Sequence, residues 1–271
     1  MNNTLGVHTS FVIWCLMALA GLLNGQERQT ATGDSSGGLL ERTIGACLKA
    51  IQLNPNDADA HWNLGTALEK KGDLEGAIRE FRAVVRLRPT NADAQFSLAY
   101  DLEDSDDHDG AIGAYRAYLL LKPNDASAHT NLGNALYNKG DYAAAVAEQR
   151  LALRLDPNDS TAHMNLANAL DETGDHEGAI REYRASIELD PRVAKTHYNL
   201  GISLNAVKDF KGAMAEYRTA IRLSATYPEP HFNLGWLLKD QGDAAMALSE
   251  FRAACDLKPT NAKYCMAAEG K

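Results

Sequence analysis

Pro55, Pro89, Pro123, Pro157 and Pro191 stand 34 residues apart, Ala225 holds the next place in the series, and Pro259 resumes it. A unit this short cannot bury an apolar face alone, so a chain with this period must stack its units into a solenoid. Within each unit apolar residues return at helical spacing in two blocks. His61, Leu64, Gly65 and Leu68 form one stripe, and Ala77, Phe81 and Val84 form the next. Between the blocks lies a turn, "KKGDL", "DSDDH", "NKGDY", "ETGDH", "AVKDF" or "DQGDA", with an Asp in its second half at 73, 107, 141, 175, 209 and 243. An Asp there accepts from the free N–H groups that open a helix. Asp57, Asn91, Asp125 and Asp159 are placed to do the same for the first block. Each unit therefore reads as helix–turn–helix, and the chain as all-α.

Small residues recur at Gly65, Ala99, Gly133, Ala167, Gly201 and Gly235, and alanine at 77, 111, 145, 179, 213 and 247. An aromatic follows at Phe81, Tyr115, Tyr183, Tyr217 and Phe251. This pattern closely resembles the tetratricopeptide repeat. The resemblance implies a right-handed α-solenoid of six repeats over 58–261 (58–91, 92–125, 126–159, 160–193, 194–227 and 228–261). A half repeat precedes them at 39–57 and a C-terminal cap helix follows at 262–271. Local departures are Gln149 in place of the aromatic, Asp106 and Lys208 in place of the turn glycine, and Tyr118 in a column of small residues.

The first 25 residues read as a leader, because "FVIWCLMALAGLL" is an unbroken apolar run of thirteen. Spanning a bilayer takes about 17 to 25 residues, whereas a secretory h-region has this length. Cleavage after Gly25 predicts an exported, periplasmic or secreted protein with no membrane segment after signal removal and a flexible linker at 26–38. The n-region has no Lys or Arg, so an uncleaved membrane anchor is the alternative. In an oxidising compartment Cys255 and Cys265, which flank the "DLKPTNAKY" turn, are candidates for a disulfide; otherwise they are two small buried thiols. Cys47 falls in a core column.

His61, His129, His163, His197 and His231 share one column, with Gln95 and Cys265 in the same register. A shared metal needs ring nitrogens within about 2.1 Å of one ion, whereas packed helices lie about 8–10 Å apart. Packing is the expectation, and no metal or other cofactor is predicted. A buried neutral column implies a folded pKa below the usual value of about 6.5, with stability falling as pH drops through it. His108 and His176 lie in turns.

Asn63, Asn131, Asn165, Asn199 and Asn233 stand two residues past the histidines, about 200° around the helix. Trp62, Phe96, Tyr100, Tyr137, Met164, Tyr198, Phe232 and Trp236 share that side. By the resemblance, first helices line a concave groove that binds extended peptides. An amide both donates and accepts, so one Asn per repeat makes a ladder for a peptide backbone, similar to that in the superhelix of O-GlcNAc transferase. The inward set carries nine acids (Asp59, Glu69, Asp93, Glu103, Asp104, Asp171, Glu172, Glu229, Asp240) against Lys70, Lys195 and Lys239. With a net charge of −9, the chain is expected to take a basic or apolar protein or peptide and not nucleic acid. The terminal-carboxylate clamp of chaperone adaptors is matched at Asn134, Asn165 and Lys195, but Thr130 and Asn199 stand where cations belong.

Other constellations are thin. "DSDDHDG" lacks calcium-loop spacing and reads as a solvated turn. The arginines at 82, 116, 150, 184, 218 and 252 follow a glutamate by two residues in five repeats, which predicts inter-helix ion pairs. The sequence has no nucleophile elbow, P-loop, dinucleotide motif or zinc spacing. The expected role is a non-catalytic scaffold binding an extended segment in an acidic, aromatic-lined groove. The alternative is a regulatory or substrate-recruiting subunit of an envelope machine for secretion, pilus assembly or glycosyl transfer.

Overall fold

Asp73 Oδ1 accepts a 2.9 Å bond from the backbone N–H of Gly76, and the same bond recurs from Asp107, Asp141, Asp175, Asp209 and Asp243. Each opens the second helix of a repeat. Asp57, Asn91, Asp125 and Asp159 cap the first helices of repeats one to four in the same way. At repeats five and six Val193 and Tyr227 hold the cap position and supply no side-chain bond. Between paired helices the chain reverses through the left-handed region, at Gly72, Gly140, Gly174 and Gly242. Asp106 (φ 60°) and Lys208 (φ 66°) are forced into that same conformation without glycine's freedom.

The computed structural model describes residues 36–269, all of whose regular elements are helices. They are α1 (Ser36–Leu53), α2 (Ala58–Lys71), α3 (Leu74–Leu87), α4 (Ala92–Asp104), α5 (His108–Leu121), α6 (Ala126–Lys139) and α7 (Tyr142–Leu155). Then come α8 (Ser160–Glu172), α9 (His176–Leu189), α10 (Ala194–Ala206), α11 (Phe210–Leu223), α12 (Pro228–Asp240), α13 (Ala244–Leu257) and α14 (Ala262–Ala268). The leader at 1–25 lies outside the described residues, as does most of the expected linker. The last three linker residues, 36–38, belong to α1, which carries Ile44 and Cys47 to buried positions. Among the described residues no helix is long and apolar enough to cross a membrane.

Among the described residues, those from Ile44 onward form one unit, an α-solenoid. From α2 to α14 each helix packs on the next, and α8 also touches α6 and α10, the first helices of the neighbouring repeats. The recurring small residue has a steric cause. A Cβ added at Gly65, Gly201 or Gly235 would lie 2.8, 2.5 or 2.6 Å from the ring of Phe81, Tyr217 or Phe251. The ring of the second helix thus lies directly on the backbone of the first. At Gly133 the crossing residue is Gln149, fully buried, whose amide donates to the Thr130 carbonyl at 2.9 Å while its Oε1 finds no partner.

The stack closes at α14, where Tyr264 is buried with its ring 4.8 Å from that of Phe232. Cys255 on α13 and Cys265 on α14 are joined as a disulfide, with Cα atoms 4.8 Å apart.

Candidate functional site

The histidine column is a set of latches. In every repeat that has one, Nδ1 meets a glutamate nineteen residues on: His61–Glu80, His129–Glu148, His163–Glu182, His197–Glu216 and His231–Glu250, at 2.5–2.7 Å. Nε2 reaches back to the carbonyl of Pro55, Pro123, Pro157 or Pro191 at 3.0–3.1 Å. Gln95 makes the same backward contact to Pro89 at 3.5 Å. This corrects two expectations. The glutamates are taken by histidines, not by the arginine column, because residues two apart on a helix point to opposite sides. Arg82 instead meets Asp107 at 3.4 Å in the open. The His197 pKa is raised, not lowered, first by the hydrogen bond to Glu216 and in spite of burial. His108 and His176 pair with Glu103 (3.2 Å) and Asp171 (2.9 Å).

Among the first-helix residues expected to line a groove, the structure separates several kinds. Trp62, Phe96 and Tyr198 are half-buried, their rings 5.2, 5.8 and 5.9 Å from Phe81, Tyr115 and Tyr217 of the same repeat. Phe232 was expected to be a groove contact but is buried, because α14 covers it. Tyr100 and Trp236 are 57% and 40% exposed, with Lys239 Nζ 4.8 Å above the Trp236 ring.

The asparagines divide as well. Asn199 Nδ2 donates to Asn168 Oδ1 at 2.9 Å, an oxygen that also accepts from the Tyr183 hydroxyl at 2.6 Å. Asn233 Nδ2 donates to the Tyr198 hydroxyl at 3.2 Å. Asn63 is half-buried. Asn131, Asn134 and Asn165 make no side-chain hydrogen bond among the described residues.

Two recesses mark this face. The first, of about 300 Å³, is lined by Tyr100, Glu103, Asp104 and Tyr115 from repeat two and by Asn131, Asn134 and Asn138 from repeat three. Asn138 donates to Glu103 at 2.6 Å, which leaves the amides of Asn131 and Asn134 and the carboxylate of Asp104 as its open polar groups. The second, of about 270 Å³, is lined by Ile202, Asn205, Phe210, Tyr217, Asn233, Trp236, Leu237 and Asp240, and is more apolar. Two further exposed residues on this face, Phe210 (45%) and Ile202 (40%), were not expected: Phe210 ends the "AVKDF" turn, and Ile202 shares the column of Tyr100 and Trp236 without being aromatic.

Several acids of the expected groove are already occupied. Arg88 grips Asp59 with two bonds, at 2.5 and 2.8 Å, and holds its carboxyl below the usual range. Asp171 accepts from Ser203 at 2.6 Å, and Glu172 from Tyr137 at 3.4 Å. In the acid-rich turn, Asp107 caps α5 and Asp109 pairs with Lys139, so these acids do not converge as a calcium loop does. The carboxylate clamp is not assembled. Thr130 is buried and bonded to Asp159 at 3.2 Å, and Asn199 is held by Asn168. Among the described residues no group of three or more His, Cys, Asp or Glu side chains converges on a metal position.

Sequence profiles described as tetratricopeptide repeat match residues 96–160 and 228–261, and one described as TPR repeat matches 48–72, 171–208 and 203–242. No curated protein matches the sequence. Among solved structures the chain is similar to PilF of Pseudomonas aeruginosa, at 21% identity and TM-score 0.65, over 79% of this chain and 97% of that one. It is similar to MamA at 22% identity and TM-score 0.59, over 62% of this chain and 92% of the other. YrrB, described as a TPR protein with an unusual peptide-binding site, aligns at 21% identity and TM-score 0.59, over 69% of this chain and 96% of its own. At these identities the likeness is one of fold.

Proposed function

The chain belongs to the tetratricopeptide repeat family, and from that premise we propose that it is a non-catalytic interaction scaffold whose first-helix face binds an extended peptide. The observation that carries this reading is the pair of unsatisfied amides, Asn131 and Asn134, in one recess with the exposed ring of Tyr100. An open amide bonds a peptide group whatever its side chain, and an adjacent aromatic adds apolar area at little cost in order. Asn165 extends the row by one repeat, and the apolar recess at Trp236 offers a second contact farther along. The acids of this face that make no ion pair or side-chain hydrogen bond among the described residues, Glu69, Asp93, Asp104 and Asp240, favour a basic or apolar partner.

The test is isothermal titration of wild type and Asn131→Ala/Asn165→Ala with decapeptides taken from an array. Loss of about tenfold in affinity, or 1.4 kcal/mol, is expected. Equal binding by both proteins sinks the ladder.

We also place the protein outside the cytoplasm, a reading supported by the apolar run at 11–23 and by the paired Cys255 and Cys265. N-terminal sequencing of the native protein should begin at Gln26.

A further inference from the structure

Asp101 breaks the pattern of its column. The equivalent residues of the other repeats, Ala67, Ala135, Ala169, Ser203 and Leu237, are all buried and lack charge. Asp101 is 2% exposed, and its Oδ2 has no hydrogen-bond partner. A buried polar atom left unpaired destabilises a fold, and four of the other five repeats show that an apolar residue fits here. A local rule broken without a structural return points to function.

The surroundings say what kind. In repeat five the same column holds Ser203, which donates to Asp171 of repeat four. The equivalent neighbour of Asp101 is Glu69, so a carboxyl faces a carboxyl, and with both ionised neither can donate. Burial first, then the charges of Glu69 and Asp104, push the Asp101 carboxyl up to about 7. Glu69 and Asp104 are exposed and make no ion pair or side-chain hydrogen bond among the described residues. The other titratable groups on this side are Lys70, exposed in the last turn of α2 beside Glu69, and further acids. Glu103, on α4, is taken by Asn138 and His108, and the Tyr115 hydroxyl of α5 is pushed up by burial, Glu103, Tyr100 and Asp101. Tyr100 and Asp104 line the recess that holds the free amides of Asn131 and Asn134.

We propose that Glu69, Asp101 and Asp104 form an anchor for one cationic side chain, a lysine ammonium or an arginine guanidinium, of the peptide bound along the first helices. The proposal rests on the groove reading and adds the identity of one ligand residue. The incoming N–H groups supply the donors that Asp101 lacks, and Tyr100 offers a ring face to the cation. As the cation enters, the Asp101 carboxyl releases its proton to water.

The test titrates N-acetyl-arginine amide and N-acetyl-lysine amide into the full chain, followed by amide NMR, with N-acetyl-glutamine amide as comparator. Shifts centred on residues 69, 100, 101 and 104 are expected from the two cations and not from the glutamine amide. Affinity should rise about tenfold from pH 6 to pH 8 as the carboxyl gives up its proton more readily. Asp101→Ala should abolish these shifts and raise the melting temperature, because alanine is what repeats one, three and four carry. Unchanged shifts in Asp101→Ala, a lowered melting temperature, or displacement of the cations by submillimolar calcium chloride would each overturn the anchor. If the anchor fails while peptide binding still depends on Asn131 and Asn165, the groove reading stands without it.

Discussion

His197 Nδ1 lies 2.6 Å from Glu216 Oε2, while Nε2 of the same ring lies 3.1 Å from the Pro191 carbonyl. Both partners are acceptors, so the ring is best satisfied carrying a proton on each nitrogen. A folded pKa raised above the unfolded value contributes stability in full below about pH 6.5, and that contribution is lost as pH climbs through the folded pKa. The variant His197→Gln, which copies Gln95, should therefore be less stable than wild type by about 1 kcal/mol at pH 6. The gap in melting temperature should narrow toward pH 9. A gap that widens with pH would mean the ring is neutral in the fold.

Asp101 carries the opposite sign. Its carboxyl keeps a proton up to about 7 when folded, whereas the unfolded chain loses it near 3.8. The wild type should therefore lose stability as pH rises between those values, relative to Asp101→Ala. Urea titrations at pH 4 and pH 7.5 should show the variant ahead by about 3–4 kcal/mol more at the higher pH. A constant difference would contradict the burial of this carboxyl.

Lys208 holds a φ of 66° in the turn between α10 and α11, a position filled by glycine in four of the six repeats. A side chain in the left-handed region costs about 1 kcal/mol. Lys208→Gly should raise the unfolding free energy by about that much, and Asp106→Gly by less, since Asp tolerates this region. Chemical denaturation of the two variants decides it.

Reduction of Cys255–Cys265 should loosen α14 first. Seven residues are too few to hold a helix without a packing surface. Hydrogen exchange at 264–268 should speed up on adding reductant, while the repeats at 58–223 keep their protection.

The period, the paired helices and the turns were legible because they rest on local chemistry. Proline, the Asp caps and the small residue opposite an aromatic leave their mark within one repeat. Partners contributed from elsewhere were harder to read. The histidine latch depends on a glutamate nineteen residues on, and the charge pattern around the arginines suggested a different pairing. Asn199 and Asn233 look identical to Asn131 in sequence, yet Asn168 and Tyr198 of the preceding repeats consume them. Phe232 is lost to the face because α14 lies over it. Asp101 stands just before the acids of the wet turn, and its residue type carries no mark of burial. Only its place in the alanine column, with its unpaired Oδ2, sets it apart.

The missing side-chain caps at Val193 and Tyr227 have a local consequence. Each missing bond leaves helix-opening N–H groups to water, so the first turns of α10 and α12 should fray before those of α2, α4, α6 and α8. The helices bearing Tyr100 and Asn131 keep their capped starts.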